Sequence, residues 1–233
     1  MRMLVFDTES TSPEPTTARI VTAFLGVLDA DGTVQMAQDW LIRPDAEHPI
    51  PAEATAIHGV TQEHALQHGM HAGNAIDQIA SIIRVECVDN GLPLVGHNLR
   101  YDLTLLDREM RRHGMANLAA WLLPRVKVLD SIILDKHLDR YRKGKRTLTA
   151  TAEHYDIRLD DAHTASADAV AAGLIAQRLL SHDTLRDMPL DVIHEAEVIW
   201  AKEQAEGLRA YFLREGNTEA AASVHTEWPV IPA

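Results

Sequence analysis

The N-terminal run Met3-Leu4-Val5-Phe6-Asp7-Thr8-Glu9 constrains this chain more than any other stretch. Its apolar part, from Met3 to Phe6, reads as a buried strand. Side chains two apart on a strand share a face, so Asp7 and Glu9 leave the strand's end side by side. Adjacent carboxylates repel, and without a cation one of them tends to stay protonated. Hard divalent ions relieve that repulsion and prefer oxygen ligands. The end of the first strand is therefore a candidate metal site.

Two later segments carry matching chemistry. Leu94-Val95-Gly96-His97-Asn98-Leu99-Arg100-Tyr101-Asp102 reads as a short strand, a polar turn and a helix beginning near Tyr101. Asp102 then lies in the first helical turn, where the macrodipole favours negative charge. In the second segment, His163 precedes a helix that carries Asp168 about one turn inside, ahead of the apolar-periodic run Val170 to Leu180. The chain has 13 histidines, so a single one is weak evidence. A histidine five residues before an acid, in a chain with the other carboxylates, is much stronger.

These three segments resemble the motifs of DEDD-type 3′–5′ exonucleases, in the DnaQ-like branch whose third motif holds a histidine. Phe6-Asp7-Thr8-Glu9 matches the first motif, His97-Asn98 through Asp102 the second, and His163 through Asp168 the third. The sister branch has Tyr four residues before the last Asp, where this chain has Thr164. Ile57-His58-Gly59-Val60-Thr61 resembles a loop of polymerase proofreading subunits, and Val128-Leu129-Asp130-Ser131 a recurring strand end. The resemblance implies catalytic Asp7, Glu9, Asp102, His163 and Asp168. Asp7, Glu9, Asp102 and Asp168 would hold two Mg2+ or Mn2+ ions, and His163 would act as general base. It also implies substrate contacts from Thr8, Ser10, His58, Asn98 and Tyr101. Ser10-Thr11-Ser12 replaces the family's usual Thr-Gly after the glutamate, so the loop beside the terminal nucleotide is expected to differ in shape.

At 233 residues, with 46% hydrophobic content, the chain can bury a substantial core. No apolar run approaches the ~20 residues of a membrane helix, and no signal-peptide pattern precedes the first strand. The single Cys87 excludes an internal disulfide and is expected as a small buried residue on a helix, so a cytoplasmic protein is expected. A net charge of -12 ordinarily speaks against nucleic-acid binding. Locally, Arg140-Tyr141-Arg142-Lys143-Gly144-Lys145-Arg146 sets five basic residues in seven positions. Arg142, Lys143, Lys145 and Arg146 are candidate phosphate contacts, whereas Arg108, Arg111 and Arg112 are expected to solvate a helix surface.

Strands are expected at Ile20–Leu28 and Thr33–Ile42, joined by the turn Asp29-Ala30-Asp31-Gly32, and later at Leu92–Gly96 and Arg125–Asp130. Pro44 to Gly59 reads as a long loop. Helices are expected after Thr61, over Gly73–Val88, Tyr101–His113 and Ile132–Leu138, and from a Thr147 cap through Tyr155. The order predicts an α/β fold, a ribonuclease-H-like mixed sheet flanked by helices. Residues 1–182 would form the exonuclease domain and 183–233 a helical extension with an extended tail anchored by Trp228. The extension's helix, led by Pro189 and reaching Arg214, shows an apolar stripe of Val192, Ala196, Ile199, Trp200, Leu208, Tyr211 and Phe212. The expected function is hydrolysis of single-stranded DNA from its 3′ end, with a polymerase or other replication protein as the candidate partner. An RNA-trimming nuclease and an inactive binding subunit are the alternatives. The lack of a polymerase-sized extension suggests a stand-alone enzyme or a separate subunit.

Overall fold

A computed structural model describes residues 1–159 and 164–233, so His163 lies outside the described residues. The strands are β1 (Met3–Ser10), β2 (Ile20–Leu28), β3 (Val34–Arg43), β4 (Met70–His71), β5 (Leu94–Gly96) and β6 (Val128–Asp130). They form one mixed sheet in the order β4-β3-β2-β1-β5-β6. The first three strands are an antiparallel meander, and β1, β5 and β6 run parallel. The β2–β3 turn is the expected one: Gly32, at φ 86°, donates to the Asp29 carbonyl.

Alternation along β1 explains the burial of the sheet on both faces. Leu4 and Phe6 enter one core with Leu94 and Val128, packed beneath α3 (Ala72–Ile83) and α4 (Leu99–Arg112). Met3 and Val5 enter the other with Val95 and Leu129, beneath α8 (Ala165–Leu180). A strand buried on both sides has no need of alternating polarity, which accounts for the uninterrupted apolar run. The same parity then sends Thr8 toward α4 and sends Asp7 and Glu9 toward α8.

Several expectations need correction. The segment read as a long loop contains α1 (Ala52–His58), which begins behind Pro51 and ends at Gly59 in the left-handed region. Its alanines favour helix once the proline has set the entry. Gly73–Val88 divides into α3 and a wider π-helical turn, Arg84–Asp89, on which Cys87 is buried as expected. Pro124 holds the segment before β6 in a 3-10 turn, so that strand starts only at Val128. The caps at Thr61 and Thr147 form as expected, each hydroxyl accepting a backbone N–H; they open α2 (Gln62–His68) and α7 (Leu148–His154). Short helix α5 (Leu118–Trp121) precedes α6 (Ser131–Leu138).

The largest correction concerns α9 (Leu190–Arg214), the helix of the C-terminal segment. Its buried face is Ile193, Glu197, Ala201 and Ala205, spaced by four. The expected stripe is largely in solvent: Val192, Ile199, Leu208 and Tyr211 are exposed. This face is buried because it docks on β6 and α6, where Glu197 accepts the Asp130 N–H and Gln204 donates to the Ile133 carbonyl. After α10 (Thr218–Ala222) the tail crosses the domain, and Trp228, Val230 and Ile231 are buried, as expected for the Trp228 anchor. Arg108 and Arg112 do not merely solvate α4. Arg108 is buried, pairs with Asp107 and donates to the Ile231 and Pro232 carbonyls, while Arg112 donates to those of Thr16 and Ala18. Arg111 pairs with the same Asp107.

Candidate active site

Three elements converge at the C-terminal end of β1. Asp7 and Glu9 come from the strand, Asp168 from the first turn of α8, and Asp102 from the first turn of α4. One carboxylate oxygen from each of Asp7, Glu9 and Asp168 lies within 4.8 Å of the others. Gly173 sets how closely α8 can approach: a Cβ there would meet Val5 Cγ1 at 2.5 Å and Leu28 Cδ2 at 2.7 Å. Thr164 caps α8 by accepting from Ala167 N–H, which fixes the turn that carries Asp168.

Asp102 is buried and held from the opposite face. Thr8 donates to its Oδ1 through both its backbone N–H, at 3.0 Å, and its hydroxyl, at 2.6 Å. The i, i+1 step between Asp7 and Thr8 thus splits two jobs across the strand. Asp7 joins the carboxylate cluster, and Thr8 orients its fourth member.

The electrostatics show what the cluster lacks. Desolvation, then the nearby charges of Asp102, Asp168 and Glu9, hold the Asp7 carboxyl well above the usual carboxylate range. Burial and then Asp168 push Glu9 up to about 7. Burial also raises Asp102 to about 7, against the lowering effect of the Thr8 hydrogen bonds. Crowded carboxylates that cannot all ionise are matched by hard divalent cations, which take oxygen donors at this density. The donor set fits a hard divalent cation, which Asp7, Glu9 and Asp168 would hold, with the Asp102 carboxylate nearby.

A cavity of ≈ 280 Å³ opens from Glu9 between Thr22, Trp40, His58, Val60 and Thr164. His58 Nδ1 accepts from Val60 N–H at 3.1 Å, so the neutral ring carries its proton on Nε2. That Nε2 is buried and has no partner among the described residues. Burial keeps the His58 pKa below its usual value, so the ring stays neutral and offers a fixed donor.

The remaining expected residues are distributed unevenly. The Tyr101 hydroxyl bonds Ser10 Oγ and donates to the Ser12 carbonyl at 2.5 Å, so both side chains brace the loop after β1. Asn98 sits in the left-handed region at φ 63°, at the entry to α4. In the basic segment, Arg142 and Arg146 fold inward onto buried Asp135, Arg142 at 2.7 Å. Buried charge demands a partner, and Asp135 takes both guanidiniums. Lys143 and Lys145 stay exposed. Sequence reasoning did not single out Asp135 or Gly173; only their packing reveals them.

A family model described as exonuclease matches residues 4–175. The chain belongs to the exonuclease family. The match spans the three motifs read from the sequence. Among relatives of this exonuclease-family chain, the 3′-5′ exonuclease DinG of Bacillus subtilis is 23% identical over 194 residues, 83% of this chain and 19% of that protein. The PolC-type DNA polymerase III of Lacticaseibacillus paracasei is 33% identical over 90 residues, 39% of this chain and 6% of that one. A structure of exonuclease I superposes with a TM-score of 0.69 at 16% identity, covering 89% of this chain and 45% of that one. E. coli exonuclease I in complex with a dT13 oligonucleotide gives 0.67 at 17%, covering 78% and 42%. The chain thus spans less than half the length of each of these proteins. The superpositions show that the fold is the ribonuclease-H-like one of that enzyme. No helix among the described residues is long and apolar enough to cross a membrane.

Proposed function

We propose that this chain is a metal-dependent 3′–5′ exonuclease that removes nucleotides from the 3′ end of single-stranded DNA. The observation that carries this is the Asp7–Glu9–Asp168 cluster, with Thr8-tethered Asp102 beside it, in a chain of the exonuclease family. Divalent cations, Mg2+ or Mn2+ and two per site, supply charge neutralisation at the scissile phosphate when bound.

The chain's own residues do the rest. Asp7, Glu9 and Asp168 would hold one cation and Asp102 the other, with Asp102 oriented by Thr8. His163, in the third motif, takes the proton of the attacking water. The cavity beside Glu9 receives one terminal nucleotide, and His58 Nε2–H donates to an oxygen of that nucleotide. A frayed or single strand presents such a nucleotide without the cost of unpairing, which supports single-stranded substrate. Lys143 and Lys145 contact phosphates further along the strand. The oligonucleotide seen with exonuclease I supports DNA over RNA, and the PolC-type match supports a replication setting. The lone, buried and unpaired Cys87 supports a cytoplasmic location within the same reading.

The test is digestion of labelled single-stranded DNA, double-stranded DNA and RNA, with Mg2+, Mn2+ or chelator. Stepwise shortening of single-stranded DNA from the 3′ end, dependent on metal and abolished in a folded Asp7→Ala variant, is the expected outcome. Preferential shortening of RNA would move the assignment to an oligoribonuclease. Metal-independent cleavage, or full turnover by Asp7→Ala, would overturn the proposal.

A further inference from the structure

The carboxylate of Asp130 is buried at the end of β6, outside the Asp7–Glu9–Asp168 cluster, yet it accepts three backbone N–H groups. Its Oδ1 accepts the backbone N–H groups of Asn98 at 2.9 Å and Ile132 at 3.0 Å, and its Oδ2 accepts that of Leu99 at 2.9 Å. Asn98 and Leu99 are the entry to α4, whose own N-cap side chain makes no capping bond. A carboxylate from a neighbouring strand therefore does the work normally done by a cap. It also holds Asn98 in its left-handed conformation, which a non-glycine residue adopts only at a cost.

Asp130 is held in turn by the C-terminal helix. Glu197, fully buried on α9, accepts from the Asp130 N–H at 2.9 Å through Oε1. The connection runs from Glu197 to Asp130, to the Asn98–Leu99 backbone, then one turn along α4 to Asp102, which meets Thr8 beside the cluster. Parallel pairing places Asp130 opposite Gly96, directly before the His97–Asn98 turn.

We infer that Asp130, backed by Glu197, is a positioning residue that sets the placement of Asp102, so that the C-terminal helix is a working part of the catalytic centre. This rests on the reading of Asp102 as a cation ligand. Partners that orient metal ligands commonly carry about 10- to 100-fold of metal affinity or activity.

The test compares Asp130→Asn, Glu197→Ala and Glu197→Gln in the full chain. Asparagine keeps one oxygen but sets an NH2 against one of the three backbone donors, loosening the α4 entry without emptying the site. Glutamine keeps the oxygen that accepts from Asp130 N–H. Two readouts are taken: the Mg2+ concentration for half-maximal hydrolysis of single-stranded DNA, and amide hydrogen exchange at Thr8, Asn98 and Leu99.

Asp130→Asn and Glu197→Ala should raise the half-saturating Mg2+ by about tenfold or more and speed exchange at Thr8 as well as at Asn98 and Leu99. Glu197→Gln should stay near the parent on both measures. Should Asp130→Asn fail to fold, Glu197→Ala carries the same comparison. Unchanged Thr8 exchange and Mg2+ requirement in a folded variant would overturn the inference. Loss of stability with both readouts intact would also overturn it, since that is what a purely structural acid would give. If the parent chain hydrolyses nothing, the exonuclease reading falls, while Thr8 exchange still decides whether Asp130 places Asp102.

Discussion

Asp7 and Thr8 are chain neighbours with opposite tasks, and the strand's two-residue period separates them. Asp7 is crowded by three other carboxylates, which together with its burial oppose its ionisation. Glu9 and Asp102 titrate near 7 in the folded chain, against about 4 in an unfolded one. Between those pH values the fold binds protons that the unfolded chain has released, so the contribution of these groups to stability falls as pH rises through that window. On the proposed function, divalent cations would reverse this by binding only the ionised, folded site. Added Mg2+ should therefore raise the melting temperature more at pH 8 than at pH 5, a difference that thermal denaturation with and without chelator reads directly. An equal shift at both pH values would detach the cluster from metal binding. His163→Ala should lower turnover by about 10²- to 10⁴-fold, the range for a positioned general base, with Mg2+ affinity nearly unchanged. A collapse of metal affinity in calorimetry would make His163 a ligand instead.

At the scale of elements, the site depends on how closely α8 lies on β1. Gly173 leaves no room for a Cβ against Val5 and Leu28, so its missing side chain lets the helix that carries Asp168 lie on β1. Gly173→Val should cost about 1–3 kcal/mol through overpacking and also raise the Mg2+ requirement, because Asp168 rides on the displaced helix. Denaturant unfolding and a Mg2+ titration of activity check the two halves separately. Local pattern served well where one segment decides its own state. The Asp29–Gly32 turn, the Thr61 and Thr147 caps and the end of α9 at Arg214 were all legible. It failed where a partner decides. The entry to α4 starts at Leu99 rather than Tyr101 because the Asp130 carboxylate, 31 residues away, caps it. The buried face of α9 is the one that carries Ile193, Glu197, Ala201 and Ala205, because Glu197 on it bonds the distant Asp130 backbone in β6.

The whole molecule carries a net charge of -12, so any nucleic acid must be drawn by local charge. Of the basic segment between α6 and α7, Arg142 and Arg146 are committed to Asp135, while Lys143 and Lys145 remain exposed, as the proposed phosphate contact requires. Neutralising both lysines should weaken DNA binding for all sequences alike and lower the log–log salt slope by about 0.7 for each phosphate that goes unneutralised. Neutralising Arg142 and Arg146 should instead destabilise the fold by stranding a buried carboxylate. Binding isotherms at several salt concentrations, beside thermal melts, distinguish the two pairs; an unchanged slope in the lysine variant would remove the segment from the substrate path. By itself the sequence determined which groups are available to a cation. Acids spaced by two on a strand, and one acid at each of two helix starts, are local patterns that dictate which groups can face a cation. The order of strands and helices likewise limited the architecture to a mixed, helix-flanked sheet. Only the tertiary structure decided which basic residues are committed to the interior, which face of α9 is buried, and that Asp130 and Glu197 stand behind Asp102. Those outcomes depend on contacts between residues far apart in the chain, where burial forces each charge to find a partner, and no local pattern encodes which partner it finds.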